Sequence, residues 1–96
     1  MTNLVTPTIH SNGTDGHELL FQVQRIMASL CHVEEAMHLA TPHARDYYPQ
    51  GSEATAEARK AFSERYLAII AMLDEFKTLA FAIDAQNEAR AERSAA

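Results

Sequence analysis

The chain has little of what small proteins use to staple a fold or mark a site. Its 96 residues include one cysteine, Cys31, so no internal disulfide can form; a lone thiol suits a reducing compartment. Nowhere do eighteen apolar residues run together, and the N-terminus has no basic segment leading into an apolar one. Neither a membrane span nor a signal peptide is expected, which points to a cytoplasmic protein. Basic side chains are scarce: 8 Lys and Arg stand against 13 Asp and Glu, a net charge of -5. The resulting field repels polyanions and argues against general nucleic-acid binding. No glycine-rich phosphate loop, His-Glu-x-x-His pattern or Gly-x-Ser-x-Gly turn occurs. Catalysis has no visible apparatus, so the chain reads as non-enzymatic and without a cofactor.

What is present is helical periodicity. Asp15, three residues before Glu18, has the spacing of a capping box and opens onto an apolar series: Leu19, Val23, Ile26, Leu30, Val33, Met37 and Ala40. Steps of four and three place these on one helix seam, widened by Leu20, Met27 and Cys31. Cys31 reads as a small buried hydrophobe. A second series, Phe62, Tyr66, Ile69, Leu73, Phe76, Ala80 and Ile83, follows Ser52 as N-cap, with Glu53 and Glu57 near the positive end of the helix dipole. No strand pattern appears. The expected fold is all-α: an antiparallel hairpin of helices at about 15–40 and 52–93, with residues 15–96 as one domain and residues 1–14 as a flexible arm.

A chain of this length buries roughly 60 to 65% of its unfolded surface, which leaves a thin core. If Ala40 and Ser52 stand level, the first helix reaches back only to about residue 77 of the second at about 1.5 Å per residue. Leu79, Phe81 and Ile83 then form an overhang that, with Phe76 beside it, must meet the arm, through Leu4, Val5 and Ile9, or another copy of the chain. A second copy is favoured, giving a dimeric or higher helical bundle with those four residues as interface.

The break between the helices, residues 41–51, holds two of the three prolines and the densest polar and aromatic cluster. Thr41 and Tyr48 precede prolines and read as extended; Gly51 offers backbone angles closed to other residues. His43, Arg45, Asp46, Tyr47 and Tyr48 combine an imidazole, a planar donor fork and two flat rings, which suits capture of a nucleotide-like small molecule. Asp46 can instead neutralise Arg45. The tyrosines can also plug the hairpin while Arg45 caps the carbonyls of the first helix, and both readings stay open.

Pro42-His43-Ala44-Arg45-Asp46-Tyr47-Tyr48-Pro49-Gln50-Gly51 resembles the loop of a group of small helical proteins encoded by phages and prophages. In that group a Pro-x-Gly-Arg-Asp/Asn-Tyr-Tyr-x-x-Gly core joins two helices, and Ala44 stands here where glycine is common. The likeness extends loosely into the segment from Ala58 to Arg65. It implies an accessory phage gene acting in the host-cell cytosol, a class that includes inhibitors of host defence and sponges for cyclic-nucleotide signals, with Arg45, Tyr47 and Tyr48 as functional residues. A competing reading is an inhibitor of a host defence complex that presents the acidic face Glu53, Glu57, Glu64 and Glu75 to a basic partner. A third is a metal-binding bundle built on Glu35-x-x-His38 with Cys31 one heptad earlier, but the second helix offers no matching motif.

Overall fold

The computed structural model describes residues 3–95; Met1 and Thr2 of the expected arm and Ala96 at the end of the expected domain lie outside the described residues. The described residues form helices α1 (Gly16–Leu39), α2 (Ala44–Tyr47) and α3 (Ala54–Ala95), with a 3-10 turn at Tyr48–Gln50, and no strand. The fold is all-α, as the periodicity indicates. Among the described residues no helix is long and apolar enough to cross a membrane.

Local chemistry sets each boundary. Asp15 Oδ2 accepts hydrogen bonds from the amides of His17 (3.0 Å) and Glu18 (3.3 Å), satisfying two of the donors left free at a helix start. Only half of the capping box forms, because the Glu18 carboxylate accepts from Gln22 one turn on, at 3.4 Å. At the other end, Thr41 Oγ1 donates to the Met37 and His38 carbonyls at 3.4 and 3.2 Å. α3 starts slightly later than expected: the Glu53 carbonyl accepts from the Glu57 amide, so Glu53 rather than Ser52 holds the cap position. From Ala54 to Ala95 no glycine or proline interrupts 42 residues. At about 1.5 Å each they span roughly 63 Å, most of the molecule's 69 Å length.

α1 and α3 pack antiparallel. Moving along α1, Gly16 lies against Asn87, Glu34 and His38 meet Tyr66, and the Pro42 carbonyl beyond the helix meets Arg59. This register corrects the expected overhang. Ala40 and Ser52 are not level: the first turns of α3 stand beside the loop, and α1 therefore reaches Asn87 instead of stopping near residue 77.

The arm corrects the rest. Pro7 to Ile9 is tied to α3 by Gln86, which accepts from the Ile9 amide (3.0 Å) and donates to the Pro7 carbonyl (2.7 Å), while Arg90 donates to the Ile9 carbonyl at 3.1 Å. Ile9 joins Val23, Ala80 and Ile83 as the buried core, flanked by Leu19, Leu20, Met27, Phe76 and Leu79. Ile83, expected at an interface between copies, is 1% exposed within a single chain. Phe76 and Leu79 are half-buried against the same core, and of the four expected interface residues Phe81 alone is exposed. The closure is tight at Gly16, since a Cβ there would collide with Asn87 Oδ1 and come within 2.9 Å of Ile9 Cδ1, so that both side-chain ends would have to shift.

The seam of α3 is the expected one, with every member at least half-buried. That of α1 is turned. Val23, Met27, Leu30, Glu34 and Met37 face inward, while Ile26 and Val33 stand 40% and 42% exposed and Cys31, expected in the core, is exposed too. A carboxylate thus occupies a place that the apolar repeat assigns to its valine neighbour.

Candidate functional site

The loop is less extended than its prolines suggest. The His43 ring accepts from the Arg45 amide through Nδ1 (3.1 Å), and the His43 carbonyl accepts from the Asp46 amide (3.0 Å), which starts α2. Tyr48, expected to be extended before Pro49, is helical at φ -58°, ψ -29°. Proline lacks an amide, but the opening of a helical turn leaves that amide unpaired anyway, so Pro49 fits the start of the 3-10 turn. Gly51 closes the turn at φ 117°, its amide donating to the Tyr48 carbonyl at 3.2 Å. Only glycine adopts this geometry readily.

This backbone separates the five expected site residues. His43 is consumed in capping. Tyr47 is half-buried, whereas Tyr48 is 72% exposed. Arg45 and Asp46 are exposed and, among the described residues, are not paired with one another. The carbonyl-capping role expected of Arg45 falls to Thr41, whose hydroxyl reaches the Met37 and His38 carbonyls, while Arg59 Nε donates to the Pro42 carbonyl at 3.1 Å and ties the loop to α3. Arg45 and Tyr48 lie three residues apart in continuous helical backbone and so emerge on one side.

Beneath the loop is a constellation that sequence reading missed. Tyr66 donates to Glu34 Oε1 at 2.9 Å; His38 Nε2 lies 3.2 Å from the same oxygen and 3.0 Å from the Tyr66 hydroxyl. Glu34 Oε1 thus accepts from the Tyr66 hydroxyl, and His38 Nε2 stands within hydrogen-bond distance of both oxygens, its role as donor or acceptor set by the tautomer. The rings of His38 and Tyr66 meet edge to face, 5.1 Å apart. The hydrogen bond to Glu34 is the main reason the Tyr66 pKa lies above its ordinary value, with burial and the carboxylate charge adding to it. Tyr66 is thus held as a neutral donor. The signal for this cluster was present in Glu34 and His38 at i, i+4, but the apolar repeat drew attention to Val33 instead.

The remaining candidates do not converge. Glu35 lies 4.0 Å from His32, while His38 pairs with Glu34 at 3.2 Å, so the Glu35-x-x-His38 spacing gives way to Glu34 with His38. Among the described residues no group of three or more His, Cys, Asp or Glu stands close enough to hold a metal ion. Glu53, Glu57, Glu64 and Glu75 are all exposed, and Glu64 lies 4.0 Å from Arg65. No family model matches the chain, and comparisons with curated proteins and with solved structures found no similar protein.

Proposed function

We propose that the protein is a non-enzymatic binder that presents the outer side of its hinge, Arg45 and Tyr48, to a planar anionic ligand of nucleotide type. The carrying observation is the separation within the loop: Tyr47 turns inward, His43 and Arg59 fix the turn, and Arg45 and Tyr48 are left exposed on one side. A guanidinium fork recognises phosphate or carboxylate through paired bonds, and a flat ring stacks on a base. Groups held on a braced turn lose less freedom on binding than groups on a mobile one. The loop's resemblance to phage-encoded helical proteins supports an accessory role for such a binder.

The test is a thermal-shift and titration series with mononucleotides and dinucleotides. One or more should raise Tm, and Arg45→Lys, which keeps the charge but loses the fork, should abolish the shift, as should Tyr48→Ala. Full binding by both variants removes the hinge from the proposal.

We also propose that the binder works as a homo-oligomer. A compact protein of 10.7 kDa exposes about 5500 Å², whereas this chain exposes 7300 Å² with a radius of gyration of 19.9 Å. A typical interface buries about 800 Å² per partner, and the turned α1 offers Ile26, Leu30 and Val33 in a shallow groove flanked by Arg25 and Ser29. A second copy seated there lowers the excess surface, and the interface moves from the end of α3 to the outside of α1.

A further inference from the structure

The Glu34–His38–Tyr66 cluster violates the apolar pattern around it. Turning α1 to bring Glu34 inward leaves Ile26 and Val33 substantially exposed and places a carboxylate, whose side chain is 27% exposed, in the helix seam. Exposing two branched apolar groups and desolvating a charge both cost stability. Departures of this kind from otherwise consistent patterning occur where a sequence serves a site. A site lies directly beside it. Between the last turn of α1 and the early turns of α3 is a concavity of about 290 Å³, floored by Met37 and Phe62 and edged by His38, Thr41, Arg59 and Ser63, with Tyr66 completing the wall.

The lining is divided by chemistry. Met37 and Phe62 are half-buried and supply an apolar floor. Arg59 spends its Nε on the Pro42 carbonyl, which holds the guanidinium at the rim while its two terminal nitrogens carry further donors. Tyr66 and His38 are fixed by Glu34, so the polar wall is organised before anything binds. The volume suits a single ring rather than a nucleotide.

We propose that this concavity binds a small organic oxyanion with a compact apolar body, its carboxylate or phosphate on the Arg59 guanidinium and its ring or alkyl group over Met37 and Phe62. Glu34, turned toward Tyr66 and His38, is the positioning residue: it holds both rings so that the floor stays open. The site faces the inner side of the hinge and is distinct from the outer pair Arg45 and Tyr48, so either can exist without the other.

The experiment titrates the full chain with benzoate and with phenyl phosphate, using acetate and inorganic phosphate as controls that carry the charge without the ring, and follows assigned NMR signals. One or both ring-bearing probes should give saturable shifts at Phe62, His38 and Tyr66 with Kd below about 1 mM, the controls binding about tenfold more weakly or worse. Tighter phenyl phosphate assigns a phosphate headgroup; tighter benzoate assigns a carboxylate. Arg59→Gln should weaken binding by about tenfold or more through loss of a charge-assisted contact. Because Arg59 also braces the loop, Ser63→Leu is the second variant: it crowds the concavity from an exposed position of α3 and should abolish binding with helix content unchanged. Lys77→Gln, which removes an exposed positive charge about four turns along α3 from Phe62, should leave both probes unaffected. No saturable shift up to about 10 mM of either ring-bearing probe, or wild-type binding by folded Ser63→Leu, overturns the proposal.

Discussion

The two ends of the hairpin are closed by different chemistry. At the arm end, Ile9, Val23, Ala80 and Ile83 form an apolar plug, and the Gln86 and Arg90 side chains satisfy the backbone of the arm that covers it. At the hinge end the corresponding contacts are polar: Glu34, His38 and Tyr66 across the seam, then Arg59 to the Pro42 carbonyl. Apolar burial is non-directional and supplies most of the stability, whereas a hydrogen-bonded cluster adds little net stability but fixes which groups meet. The arm end therefore holds the fold, and the hinge end holds its geometry.

The strongest way to break this comparison is at Ile83. Ile83→Ala should cost about 2 to 5 kcal/mol in urea unfolding, because the side chain is enclosed by two helices and the arm. A loss under about 1 kcal/mol would show that the arm does not seal the core. Gly16→Ala acts on the same closure from the backbone side: a Cβ there meets Asn87 Oδ1 and Ile9 Cδ1, and overpacking of this kind costs about 1 to 3 kcal/mol. Asn87 has a flexible end, so the lower part of that range is expected. Unchanged stability would mean the arm stands farther from α1.

Assembly is tested on α1. Ile26→Asp with Val33→Asp should convert a multimer to a monomer by light scattering at micromolar concentration while leaving helix content intact, since both side chains are exposed in the single chain. A wild-type chain that is already monomeric removes the homo-oligomer proposal.

How much of this was legible in the sequence differs between the two helices. The α3 seam read correctly because its large apolar residues recur without competition from polar neighbours that have partners. On α1 two stripes overlap, one through Ile26 and Val33 and one through Met27 and Glu34. Apolar counting chooses the first; the structure takes the second because Tyr66, 32 residues away in sequence, offers Glu34 a donor. No local pattern contains that information. The overhang differs for a related reason: the level of two helices depends on the path of the loop, and here the chain runs on past the end of α1 through a helical turn and a 3-10 turn, so that the first turns of α3 lie beside the loop. The arm was read as flexible because few apolar groups mark it, yet a single isoleucine and two distant side chains suffice to dock it.

The hinge loop gives a smaller effect and a sharper distinction. Tyr47→Ala should destabilise by about 1 to 2 kcal/mol, a partial version of removing a buried aromatic, while Tyr48→Ala should stay within about 0.5 kcal/mol, as exposed substitutions do. Equal losses at the two positions would return both rings to the role of a plug and weaken the case for an outer binding face.

The smallest effect is the one that separates the two ends by pH. Tyr66 donates to Glu34, and that bond, then burial, then the carboxylate charge raise the tyrosine's pKa in the folded chain. In the unfolded chain the phenol releases its proton near about pH 10. Between these values the unfolded state binds fewer protons than the native one, so stability falls as pH rises. The contribution is fully present below about pH 10 and is lost as pH passes through the folded value. Tyr66→Phe cannot titrate there. Its urea midpoint should be lower than wild type at neutral pH, because Glu34 loses a donor and keeps only His38, but it should decline less steeply between about pH 9 and pH 11. Ile83→Ala, acting at the apolar end, should shift the wild-type curve downward without changing its slope over that range. Parallel curves for wild type and Tyr66→Phe would detach the phenol from Glu34, and a neutral-pH loss as large as that of Ile83→Ala would make the hinge end a second core.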